Sequence, residues 1–205
     1  MIIKDLVALE RFSKNFAEFL KSSLKQGENA ESGVVQGASK DIFLLFKGGL
    51  AAGKTTTISL LIKALGVNSE SSSPTFMGMH EYSFSLQTRD SSGFINESCK
   101  NIQLYHLDLY QKNIDLDSVL ELMDSDSPQI WMIEWSEKLD QEILDYLYLK
   151  HAYIKTFDVE LKILEDDIRS LSLRETFKEF RDFNEKENDE NIENEVLKWS
   201  QQELN

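Results

Sequence analysis

The chain has one cysteine, Cys99, among its 205 residues. No internal disulfide can therefore form, which suits a reducing cytoplasm. A lone cysteine such as Cys99 reads as an inert core or loop residue. Basic residues are also scarce: 22 Lys plus Arg stand against 36 Asp plus Glu, a net charge of −14. So acidic a surface excludes broad, direct contact with a nucleic-acid backbone, which needs a basic face. Work on RNA through a basic partner remains open; DNA binding is not expected. No apolar run has the length that spans a bilayer, and no basic N-terminal region precedes an apolar stretch. Neither a membrane partner nor a signal peptide is expected, and the reading is a soluble cytoplasmic protein. The three histidines and the cysteine show no zinc-ligand spacing, and there are no internal repeats.

What is present is a core and one strong motif. Hydrophobic residues make up 41% of the chain, with twelve Phe, enough for one buried core with appendages. Gly48-Gly49-Leu50-Ala51-Ala52-Gly53-Lys54-Thr55 fits G-x-x-x-x-G-K-[ST], a phosphate-binding loop. The flanks agree: Ile42 to Phe46 reads as a buried strand, Thr55 to Leu65 as a helix capped by Gly66. Glycines let successive N–H groups turn inward on phosphate oxygens, and the positive end of the helix faces the same anion. Lys54 would reach the β- and γ-phosphates, and the Thr55 hydroxyl would ligate Mg²⁺. A glycine turn that merely joins strand to helix is the alternative. By composition the pattern arises by chance in roughly one chain in a hundred of this length, and correct flanks make that rarer. The candidate nucleotide-binding residues are Gly48, Gly49, Leu50, Ala51, Ala52, Gly53, Lys54, Thr55 and Thr56.

Around the loop, residues 5–24 form an amphipathic helix, with Leu6, Leu9, Phe12, Phe16, Phe19, Leu20 and Leu24 at helical spacing. Residues 26–40 read as a mobile loop. Residues 76–86 and 101–107 read as two strands of a hairpin beside the main sheet, joined by a long polar loop from Thr88 to Lys100. A short helix follows at 115–123, a buried strand at 130–133, a helix at 137–147, and one or two strands at 153–164. From residue 165 the character changes: a helix is expected at 174–183, then a disordered acidic tract at 184–195 and a terminal helix.

Two acids stand at the C-terminal ends of predicted strands, where open α/β sheets bind ligands. Asp108 follows Leu104 to Leu107, and Glu134 follows Ile130 to Ile133 as in a Walker B element. In such positions a carboxylate fixes Mg²⁺ or orients the attacking water. A solvated strand end is the competing reading for each. His106 shares a strand face with Asp108 but reads as a packing residue; His80 and His151 carry no signal.

The motifs taken together resemble the bacterial TsaE (YjeE) ATPases of tRNA threonylcarbamoyladenosine formation. The resemblance rests on residues 48–56, Ser-Pro-Thr-Phe at 73–76, Glu81-Tyr82, Tyr-His-Leu-Asp-Leu-Tyr at 105–110 and Ile-Glu-Trp at 133–135. It covers roughly residues 5–164. It implies an α/β fold: a P-loop NTPase-like mixed, mainly parallel sheet flanked by helices, with an antiparallel hairpin insertion. It further implies ATP and Mg²⁺ as cofactors, hydrolysis that is weak for the protein alone, and TsaD-like and TsaB-like partners that hold the tRNA. Asp108 and Glu134 match the family's essential acids, Trp135 its Trp beside the acid, and Ser73, Pro74, Thr75 and Phe76 a loop that senses the nucleotide. Residues 1–164 are then the ATPase domain and 165–205 an acidic extension, helix plus partly disordered tail.

The chain departs from the family at four places. Gly49 and Ala51 stand where Asp and Gly are usual, and Ala51 serves only if its φ is negative. Gln111, followed by Lys112, stands for an Arg, and Ser136 for a Pro. A nucleotide-dependent binding module with little hydrolysis is one alternative. A small-molecule kinase is another, although Arg89, Arg169, Arg174 and Arg181 show no clustered lid pattern.

Overall fold

The structure is a computed structural model that describes residues 1–25, 41–67, 73–74, 78–89, 95–110, 116–123, 125, 127–139, 154–164 and 168–176. Three α-helices, α1 (Leu6–Lys25), α2 (Lys54–Leu65) and α3 (Leu116–Met123), accompany one sheet. Its strands are β1 (Ile2–Ile3), β2 (Asp41–Lys47), β3 (Ser73–Pro74), β4 (Met79–Arg89), β5 (Ile95–Asp108), β6 (Gln129–Glu134), β7 (Ile154–Ile163) and β8 (Arg169–Thr176). The spatial order is β1-β8-β7-β2-β6-β5-β4-β3. The four central strands, β7-β2-β6-β5, are parallel, and antiparallel strands extend the sheet at both edges. This is the expected mixed α/β fold.

Burial on both faces explains why β2 and β6 read as unbroken apolar runs. Ile42, Leu44 and Phe46 enter one core with α1 and α2, while Phe43 and Leu45 enter a second with Val119 and Met123 of α3. On β6, Ile130 and Met132 take the first side, Trp131 and Ile133 the second. Phe16 of α1 meets Phe157 of β7 edge-on, ring centroids 5.5 Å apart. Asp5 caps α1, its Oδ1 accepting from the Ala8 N–H at 2.7 Å. Gly66, at φ 90°, ends α2 as its composition predicts: its N–H reaches Lys63 O and that of Val67 reaches Ile62 O.

Five expectations change. Strands β4 and β5 run further than read, to Arg89 and from Ile95, with a shift of register between Gln87 and Arg89. The hairpin does not lie beside the main sheet, because β5 itself pairs in parallel with β6. The sheet also runs past residue 164, the expected end of the domain: β8 pairs with β7 from Ile163↔Arg169 to Thr156↔Thr176. Residues 174–176, expected to start a helix, are strand, because Leu171 and Leu173 alternate inward at period two. Finally, Leu6 is 55% exposed, although it shares the helical spacing of buried Leu9 and Phe12. The loop at 26–40, the tail beyond 176 and most of the helix expected at 137–147 lie outside the described residues; Ser136–Lys138 form one 3₁₀ turn.

Candidate functional site

The phosphate loop leaves β2 at Lys47 and enters α2 at Lys54, at the C-terminal edge of the parallel strands. Gly48 (φ 140°) lies so close to β7 that a Cβ there would stand 2.3 Å from the Leu161 carbonyl oxygen. Only glycine fits. Gly49, by contrast, has open space where a Cβ would point. Ala51 has φ 59°, in the left-handed region, so the condition of a negative φ set for it is not met. The Ala52 N–H donates to Gly49 O at 3.3 Å, closing a turn in which Ala51 is left-handed.

The Lys54 ammonium, on a buried side chain, donates to Gly48 O at 2.8 Å and Gly49 O at 2.9 Å. It also lies 3.7 Å from the ring centroid of Trp135, within cation–π range. Trp135 reaches that place because it too is left-handed (φ 57°), where the chain turns sharply out of β6 into the 3₁₀ turn. Tyr110 lies against it with centroids 5.1 Å apart, and Lys138 Nζ sits 4.6 Å from the Tyr110 ring. Ser136, standing for the family's Pro, donates to the carbonyl of Phe46 at 3.3 Å.

Glu134 is the best-held group. Even-numbered residues of β5 and β6 face α2, which brings Glu134 beneath the start of that helix. Thr55 Oγ1 donates to its Oε2 at 2.9 Å, and His106 Nε2 meets its Oε1 at 2.9 Å. Glu134 is 3% and His106 8% exposed. Burial alone would raise the Glu134 pKa. The hydrogen bonds from His106 and Thr55, with the charges of His106 and Lys54, outweigh burial and hold it below the ordinary carboxylate range. His106, read from sequence as a packing residue, is thus a partner of the site acid. The available signal was its place two residues before Asp108, on the face turned toward the loop.

Asp108 ends β5 directly opposite Glu134 in register, and its Oδ1 accepts from the Tyr110 N–H at 2.9 Å. Ser73 and Pro74 form an edge strand on β4 rather than a loop, with Ser73↔Glu81 and Pro74↔His80; proline tolerates such an edge. Thr75, Phe76, Gln111 and Lys112 lie outside the described residues.

The oxygens of Thr55, Glu134 and Asp108 are hard donors on one rim, the kind Mg²⁺ takes. Among the described residues no three His, Cys, Asp or Glu cluster as a metal cage. Lys54 and the Gly48 cradle fit an anion of the size of phosphate.

A family model described as "Threonylcarbamoyl adenosine biosynthesis protein TsaE" matches residues 7–168. Among curated proteins, the "tRNA threonylcarbamoyladenosine biosynthesis protein TsaE" of Nostoc sp. is 28% identical over 155 residues, 73% of this chain and 83% of that protein. The protein of the same name from Haemophilus influenzae is 27% identical over 140 residues, 66% and 70% of the two chains. The one from Treponema pallidum is 26% identical, covering 63% and 79%. Among solved structures, Bacillus subtilis YdiB overlays with a TM-score of 0.42 at 19% identity, over 84% of this chain and 82% of that one.

Proposed function

The chain belongs to the TsaE family, and from that premise we propose that it is the ATP-binding, ATP-hydrolysing subunit of a tRNA threonylcarbamoyladenosine machinery. The observation that carries the reading is the hydrogen bond that joins Thr55 of the phosphate loop to Glu134 at the end of β6. A loop that only linked strand to helix would have no need of a buried carboxylate with both oxygens occupied.

In this reading the loop N–H groups and Lys54 bind the phosphates. Thr55, Glu134 and Asp108 are the residues that would hold Mg²⁺, which when bound neutralises charge on the phosphate oxygens. Glu134 stays ionised at neutral pH, so it can hold the attacking water by accepting its hydrogen bond. Asp108, less buried and one strand over, can accept from a second water. Trp135 keeps bulk water from the Lys54 side and fixes the ammonium by its ring face. Ser73 to Phe76, leading into β4, would pass the state of the site toward β5. We place the protein in the cytoplasm with TsaD-like and TsaB-like partners that hold the tRNA. Its charge of −14 suits docking on partners that themselves hold the tRNA, not on RNA directly.

The test is phosphate release from ATP with and without those partners. Slow turnover alone, altered by the partners and lost by roughly 100-fold or more in Glu134→Gln with ATP binding retained, is expected. Full hydrolysis by Glu134→Ala counts against the reading.

A further inference from the structure

A second ammonium stands on the indole that holds Lys54. Trp135 opens the 3₁₀ turn Ser136–Lys138, and three residues per turn bring Lys138 back to the side of Trp135. Lys54 Nζ lies 3.7 Å from the Trp135 ring centroid and Lys138 Nζ 5.5 Å. Lys138 Nζ also sits 4.6 Å from the Tyr110 ring and donates to the Leu109 carbonyl at 3.3 Å. The Leu109 N–H in turn donates to Glu134 O at 3.2 Å. The amine thus lies across the ends of β5 and β6, the strands that carry Asp108 and Glu134.

The two lysines are held very differently. Lys54 is buried, with two carbonyl acceptors at 2.8 and 2.9 Å. Lys138 is exposed, and its bond to Leu109 is longer than the usual hydrogen-bond range. A flexible four-carbon stem at the surface lets such an ammonium turn toward a stronger acceptor. Charge gives that turn a direction. Asp108 and Glu134 end neighbouring strands, and a nucleoside triphosphate adds several negative charges to theirs. Lys54 supplies one compensating charge. Lys47, where the loop leaves β2, is engaged by Asp158 at 2.6 Å. A phosphate-loop lysine meets the β- and γ-phosphates, so an amine on the same indole stands at the terminal-phosphate end. We propose that Lys138 is the second phosphate-binding cation of this site, turning from the Leu109 carbonyl to the terminal phosphate of a bound triphosphate. The proposal rests on the nucleotide reading of the loop and adds which residue meets the third phosphate.

The test compares the magnesium complexes of AMP-PNP and ADP by calorimetry on the full chain. Lys138→Met keeps an apolar stem against Tyr110 and Trp135 but removes the charge. It should weaken AMP-PNP about fivefold, as the loss of a partly exposed ion pair does, and leave ADP unchanged. Lys138→Arg, which keeps the charge, should bind both nucleotides as the parent does. Unchanged AMP-PNP affinity in Lys138→Met overturns the proposal. So does an equal loss for both nucleotides, which would make Lys138 a prop for the two rings. If the parent binds neither nucleotide, the loop reading itself falls, and the assignment of Lys138 falls with it.

Discussion

Thr55 Oγ1 donates to Glu134 Oε2 at 2.9 Å, joining two residues 79 apart in the chain. The bond ties the first turn of α2 to the end of β6, so the position of the acid and the position of the loop are a single quantity. Substitution of Thr55 by Val should cut ATP hydrolysis by roughly 100-fold or more. It should also remove the dependence of ATP affinity on Mg²⁺, measured by calorimetry with magnesium and with chelator. His106 still holds the other oxygen, so the cost in stability is about 1 kcal/mol. Retained magnesium dependence in Thr55→Val would argue that the hydroxyl is only a structural tie.

Glu134 also predicts the acid limb of the stability profile. Its folded pKa lies below the ordinary 4.5, so the native state favours the ionised form. That contribution is complete above the unfolded value and is lost as pH falls through the depressed folded value. Urea midpoints measured from pH 7 to pH 3 should therefore fall on the acid side, and Glu134→Gln should lack that part of the fall. His106→Ala removes one of the bonds that lower the pKa. It should destabilise by about 1–3 kcal/mol at neutral pH and make the acid loss smaller, because the folded value moves back toward the unfolded one. An acid loss of undiminished size would show that His106 does not set the ionisation of Glu134.

The two glycines that open the loop should respond in opposite ways. Gly48→Ala drives a methyl to 2.3 Å from Leu161 O. Because backbone cannot yield cheaply there, the variant should lose several kcal/mol of stability and its nucleotide affinity. Gly49 meets nothing within 4 Å, so Gly49→Asp should fold with a melting temperature close to the parent. Equal damage from both would place the crowding elsewhere.

Ala51 carries a left-handed φ of 59°, a conformation that costs an L-residue about 1–2 kcal/mol. Glycine there relieves that strain but adds freedom to the unfolded chain, worth about 0.4–1 kcal/mol. Ala51→Gly should accordingly stabilise by about 0.5–1 kcal/mol, read as a higher midpoint in chemical denaturation. A lower midpoint means that the Ala51 methyl makes contacts that outweigh its backbone strain.

Local pattern made much of this site legible. Gly48 to Thr55 is contiguous, and its strand and helix flanks carry their own periodicities, so one short stretch encodes both the loop and its geometry. The even spacing of Ile102, Leu104, His106 and Asp108 likewise marks one face of β5 before any fold is known. The same reasoning misjudged β8, since a strand covered on its outer side only by the two-residue β1 shows just the two inward residues Leu171 and Leu173 amid polar ones. It left the φ of Ala51 open as well, because a left-handed φ inside a loop leaves no mark on residue type.

The sequence by itself determined that a phosphate loop follows a buried strand, that acids end two later strands, and that the family is TsaE. Each of these is written within a few adjacent residues, where periodicity and glycine placement act directly on the backbone. Only the tertiary structure decided that His106 and Thr55 share the two oxygens of Glu134, that Trp135 lies over Lys54, and that Lys138 lies over Tyr110. Those relations join residues far apart in the chain. They arise from the parallel register of β2, β5 and β6 and from the seating of α1 and α2 on the sheet, which no local spacing encodes.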